Sequence, residues 1–124
     1  MEVTRRLVAF FPGYLARVPD DARAHVLFAG YLAEVGELID VFTFWDDVAT
    51  QQGWMINPQS YIDVIKPRQK RLFDAIKART DAKLFYHGCG AVFELIPHLI
   101  EIGVDIINPV QVSASGMDTA ALKR

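Results

Sequence analysis

The chain has 124 residues, of which 52% are hydrophobic and 23% charged, and its formal net charge is −2. This makeup belongs to a globular unit with a core rather than to a disordered segment, and the balanced charge offers no basic field for nucleic acid or anionic lipid. Apolar runs such as Leu7 to Phe11 fall far short of the roughly 20 residues that span a bilayer, and no small-residue cleavage site follows the N-terminal MEVTRR, so the cytoplasm is the expected compartment.

In chain order, residues 1–34 read as a helical lead-in. Residues 1–18 are apolar, contain Pro12 and Gly13, and suggest a helical or irregular start. Pro19, Asp20 and Asp21 then precede Ala22, Val26, Leu27, Tyr31, Val35 and Leu38 at helical spacing, with the acids suited to a helix N-terminus. Residues 35–124 alternate three times between an apolar run and an amphipathic stretch, which predicts β/α units and a parallel sheet. The predicted strands are Ile39 to Phe44, Lys83 to Tyr86 and Val104 to Asn108. They lack polar alternation, as expected of strands buried on both faces. Asn57 before Pro58 starts a helix, because the amide can accept from a free backbone N–H and proline tolerates the first helical position. Its apolar positions Ile62, Ile65, Leu72, Phe73 and Ile76 share a face, Pro67 predicts a kink or break near Lys66, and the helix is expected to end near Thr80. Val92 to Ile102 is a further helix, divided at Pro97 and closed by Gly103; Thr119 to Arg124 begins another.

Three such units form an open sheet, whereas a closed parallel barrel takes about 250 residues. The expected architecture is therefore α/β, a partial (β/α)8 barrel of about three parallel units in one domain. Its unpaired strand edges call for cover, from further chain or from self-association into a homo-oligomer.

In parallel α/β folds the active site lies at the carboxyl ends of the strands, and there the polar residues gather. The first strand runs into Trp45, Asp46 and Asp47, the second into His87, Gly88, Cys89 and Gly90, the third into Asn108, Pro109, Val110 and Gln111. His87 and Cys89 alternate with glycines, so an imidazole and the single thiol of the chain can aim at one point. A zinc site uses such donors and a tight turn with a hydrogen-bonded histidine uses the same residues; zinc would need a third protein ligand. Asp46 and Asp47, the candidate catalytic acids, diverge in extended backbone: one faces the mouth, for ligand hydrogen bonding, support of His87 or proton transfer, with turn capping as its alternative, while the other caps a turn or orients a neighbour. Asn108 and Gln111 are neutral groups able to orient a ligand, though Asn108 before Pro109 is also an ordinary turn element. His25 and His98 read as structural or solvent-facing, and Trp45, Trp54 and Met55 as packing or pocket lining.

Taken together, FWDDVATQQGWMINPQSYIDVIKPRQKRLFDAIK, KLFYHGCGAVFELIPHLIEIGVDIINPVQ and the later GMD resemble the uroporphyrinogen decarboxylase superfamily over about residues 35–124. The DD, TQ, HxCG, ELIP and NPVQ elements stand in the family's order. The resemblance implies a (β/α)8 barrel and one of two chemistries. In the methyltransferase branch, HxC supplies two zinc ligands, here His87 and Cys89. A later cysteine, without counterpart before Arg124, supplies a third, and zinc activates a small-molecule thiol to take a methyl group from a corrinoid carried on a partner protein. True decarboxylases of porphyrin and haem biosynthesis instead hold an acidic tetrapyrrole without metal, using arginines and an early aspartate that have no match here. A third alternative is a truncated, non-catalytic barrel piece that self-associates.

Overall fold

A computed structural model describes residues 7–12 and 29–123, with side chains described from residue 29 onward. Its centre is a four-stranded sheet in the order β1-β2-β3-β4, formed by Leu7–Pro12, Ile39–Trp45, Lys83–His87 and Ile106–Asn108. Each neighbouring pair is parallel. The strand at Leu7–Pro12 corrects the expected helical or irregular lead-in: LVAFFP pairs with β2 from Leu7↔Ile39 to Pro12↔Trp45. Pro12 tolerates this place because an edge strand leaves one side of its backbone without a ladder partner. The remaining lead-in, including His25 and the start of the helix expected after Pro19, lies outside the described residues; helix α1 is described over 29–35.

Helix α2 (Pro58–Ser60) begins as expected, with Asn57 Oδ1 accepting from the N–H groups of Gln59 at 2.8 Å and Ser60 at 3.3 Å. The break expected near Lys66 takes the form of a bulge. Residues Tyr61–Ile65 widen into a π-turn in which the Lys66 N–H donates to the Tyr61 carbonyl, five residues back. Pro67, which cannot donate, thereby falls in the first turn of α3 (Lys66–Lys77), where no intrahelical donor is required. The second proline is handled alike: a 3₁₀ turn, Phe93–Leu95, precedes α4 (Ile96–Glu101), with Pro97 in its first turn. Gly103, at φ +93°, closes that helix as its N–H donates to the Ile100 carbonyl at 3.0 Å. Helix α5 (Thr119–Leu122) is capped by Asp118.

Period-two alternation sorts the strands into two faces. Phe42, Phe44, Leu84 and Tyr86 are almost fully buried and join Leu72, Phe73, Ile76, Leu95 and Leu99 in the core. Phe44 meets Phe73 edge to face at 5.0 Å between centroids, and Tyr86 at 5.9 Å. The other face carries Thr43, Trp45, Phe85, His87 and Asn108, matched across the strands as Thr43↔Phe85 and Trp45↔His87↔Asn108. Burial on both faces was expected, yet Trp45, Phe85 and His87 are only half-buried and Asn108 is exposed. The strand order explains this. Parallel neighbours in unbroken sequence order, joined by right-handed crossovers, send every connection to one side; a doubly wound sheet needs a reversal of order to cover both. The chain is thus α/β, with a parallel sheet in sequence order whose second face no described helix covers.

Candidate functional site

The uncovered face ends in an open depression of about 500 Å³ at the carboxyl ends of the strands, lined by Thr43, Trp45, Asp47, Phe85, His87 and Asn108. A larger cleft, about 760 Å³, lies at the opposite end near Gly36, Lys77 and Lys83. Its acids Glu37, Asp40 and Asp81 are matched in number by Lys77, Arg79 and Lys83, so the lining carries no excess of either sign. The carboxyl-end depression is smaller but collects the groups with chemistry.

His87 ends β3 with its ring on the uncovered face. Its Nδ1 lies 2.8 Å from Asn108 Oδ1 on β4. An amide oxygen only accepts, so Nδ1 is the donor of this bond and Nε2 is the ring nitrogen left for another partner. Nε2 faces Cys89 Sγ at 3.7 Å. Two donors of one tetrahedral zinc, at ordinary Zn–N and Zn–S lengths, stand about 3.5 Å apart, so the pair fits a shared ion. Among the described residues no group of three or more His, Cys, Asp or Glu side chains gathers around one point, so His87 and Cys89 stand as a pair.

The loop bearing Cys89 is pinned along its backbone. Gly88 N–H donates to the Asn108 carbonyl at 2.9 Å, Cys89 N–H to Asp47 Oδ1 at 3.1 Å, Gly90 N–H to Gln111 Oε1 at 2.9 Å and Ala91 N–H to the Thr50 carbonyl at 2.8 Å. Four successive amides are therefore occupied from the β2 and β4 sides. The loop cannot offer them as an oxyanion hole, which weighs against acyl-transfer chemistry at the thiol.

The adjacent acids separate, as their extended backbone requires. Asp47 faces the mouth. Asp46, 3% exposed, turns to the helices, where its Oδ2 accepts from Gln69 Nε2 at 3.3 Å. Gln69 in turn accepts from the Tyr61 hydroxyl at 2.9 Å, and Tyr86 donates to the Asp46 carbonyl at 2.7 Å. Burial pushes the Tyr61 phenol well above its ordinary pKa, which keeps it a donor. Asp46, expected with Asp47 as a candidate catalytic acid, thus sits in a buried hydrogen-bonded network on the helix side of the sheet. Gln69, Tyr61 and Asp46 form a network that sequence reasoning missed; a glutamine inside the apolar stripe of α3 was its one legible sign.

Gln111 reaches the Cys89 loop rather than open space. Its amide pairs reciprocally with Gln51: Gln111 Nε2 donates to Gln51 Oε1 at 2.7 Å and Gln51 Nε2 to Gln111 Oε1 at 3.1 Å. Trp54 packs on Tyr61 and donates to Glu94 at 2.9 Å, while Met55 is exposed. His98 lies on α4 with Nδ1 3.0 Å from Lys66 Nζ, remote from the mouth as expected of a structural histidine. No described helix is long and apolar enough to cross a membrane. In comparisons with known proteins, no family model, no curated protein and no solved structure matches the chain.

Proposed function

We propose that this chain is the part of a uroporphyrinogen decarboxylase-like barrel that carries two zinc ligands of a thiol-methylating enzyme. The observation that carries the reading is the His87 Nε2 to Cys89 Sγ separation of 3.7 Å, with the histidine tautomer set by Asn108. A ligating histidine ordinarily donates its other ring N–H to an oxygen, which fixes the ring and raises its basicity; Asn108 does this here. The sheet's unreversed order and the gathering of polar groups at its carboxyl ends support a barrel with an active mouth.

In this reading His87 and Cys89 hold the ion, and a third ligand comes from outside the described residues. Zinc held there would supply Lewis-acid chemistry, making a small-molecule thiol a better nucleophile toward a methyl group carried on the corrinoid of a partner protein. The chain's own residues orient: Asn108 holds the imidazole, Asp47 and Gln111 hold the cysteine loop, and Trp45 and Phe85 present apolar walls.

Elemental analysis of the purified chain is the direct test. About one equivalent of zinc is expected, lost in His87→Ala and in Cys89→Ala. Metal content that is unaltered by both substitutions would overturn the reading. Tetrapyrrole binding without metal would support the decarboxylase in its place, and binding of neither would support a non-catalytic piece that self-associates.

A further inference from the structure

A side chain's direction is set at its Cα by the two peptide planes that flank it. At Cys89 both planes are held by side chains from other strands' loops. The plane before it is fixed where Cys89 N–H meets Asp47 Oδ1, beyond β2, and the plane after it where Gly90 N–H meets Gln111 Oε1, beyond β4. The glycines on either side bring no side chain to steady the loop. Gln111 is itself clasped by the reciprocal amide pair with Gln51 and lies 3.5 Å from Ser113 Oγ. A third tie, Ser115 N–H to the Gln51 carbonyl at 2.9 Å, joins the same two loops.

We infer that Asp47 and Gln111 are positioning residues for Cys89, which pin its two flanking peptide planes so that Sγ is aimed at the point faced by His87 Nε2. The inference deepens the zinc reading and rests on it for its purpose, but the pinning itself is a property of the metal-free chain. It replaces direct catalysis by Asp47 and ligand contact by Gln111 with action through the cysteine. Holding a donor in place before the metal arrives removes ordering entropy from binding, and loss of such a partner typically weakens metal affinity by about 10-fold to 100-fold.

The test separates the two ideas. In the metal-free chain, three-bond couplings across the Cys89 Cα–Cβ bond, measured by NMR, report whether the thiol occupies one rotamer. The wild-type chain is expected to show one. Asp47→Ala and Gln111→Met, which remove the two acceptors, are expected to average the couplings, whereas Asp47→Asn keeps an acceptor oxygen and retains the single rotamer. Gln51→Met, at an exposed position that tolerates change, loosens only the clasp and gives partial averaging. A single rotamer retained in Gln51→Met and Gln111→Met, or an averaged one in the wild type, would overturn the inference. Cobalt(II) titration supplies the second readout: the sulfur-to-cobalt absorption of wild type is expected to need about 10-fold or more metal in the averaging variants and to recover in Asp47→Asn. Absence of that absorption in the wild type sinks the zinc reading alone, because the couplings still decide the pinning.

Discussion

At Gly90 the backbone sits at φ +99°, and an added Cβ would lie 2.4 Å from the Thr50 carbonyl oxygen. Conformation and contact each forbid a side chain there, and the contact is with backbone that the Ala91 N–H also binds at 2.8 Å. Gly90→Ala is therefore expected to lower stability by about 2–3 kcal/mol, read as an earlier midpoint in urea with an unchanged slope. A midpoint within error of wild type would show that the loop has slack. The glycines flanking Cys89 were legible in the sequence as the means of aiming His87 and Cys89 together, and their spacing does bring Nε2 and Sγ to 3.7 Å. The partners of the loop were less legible. Asp47 and Gln111 lie 42 and 21 residues from the amides they hold, and no local periodicity connects such positions. The division of labour between Asp46 and Asp47 followed from strand geometry, but which acid faces the mouth depends on register, and the run of apolar residues in β2 hides it.

At the scale of elements, Asp105 joins three pieces of structure. Its Oδ2 accepts from Leu84 N–H at the start of β3 at 2.8 Å and from Lys77 Nζ at the end of α3 at 2.9 Å. Burial pushes its carboxyl up, but the Leu84 N–H bond and the Lys77 ammonium outweigh this and hold it below the usual carboxylate range. A carboxyl depressed in the fold contributes stability above its unfolded pKa, near 3.9, and that stability is lost as pH falls through the lower folded value. Asp105→Asn is thus expected to cost about 1 kcal/mol at neutral pH, with the gap from wild type closing below about pH 4. Urea midpoints measured from neutral pH into acid test it, and a gap that does not narrow as pH falls would show that shape rather than charge matters. β2, β3 and β4 were foreseen because each is a compact apolar run between polar turns. β1 was not, since LVAFFP stands beside Pro12 and Gly13 and its strand character appears only when β2 supplies the partner. The π-turn at Tyr61–Ile65 was also hidden; Pro67 announces that the helix must yield, without saying whether by kink, break or bulge.

For the whole molecule, strand order decides which parts open first. β2 lies between β1 and β3, and β3 between β2 and β4, so their amides and carbonyls are enclosed on both sides. β4 has only three ladder residues and pairs with β3 alone among the described strands, while Ile106 and Asn108 stand exposed. Opening free energies in a fold range from near zero at thin edges up to the global value in the enclosed core. Hydrogen exchange is therefore expected to be slowest at Phe42, Phe44, Leu84 and Tyr86, close to the global unfolding limit, and faster by orders of magnitude at Ile106, Ile107 and α5. Protein concentration turns the same experiment into a test of assembly. Anything that binds the folded edge shifts its opening equilibrium by mass action, so pairing of a second copy along β4 would slow Ile106 and Ile107 as concentration rises and leave Phe42 and Leu84 unchanged. Edge amides that exchange at one rate across a 100-fold dilution would mean that copies of this chain do not cover β4.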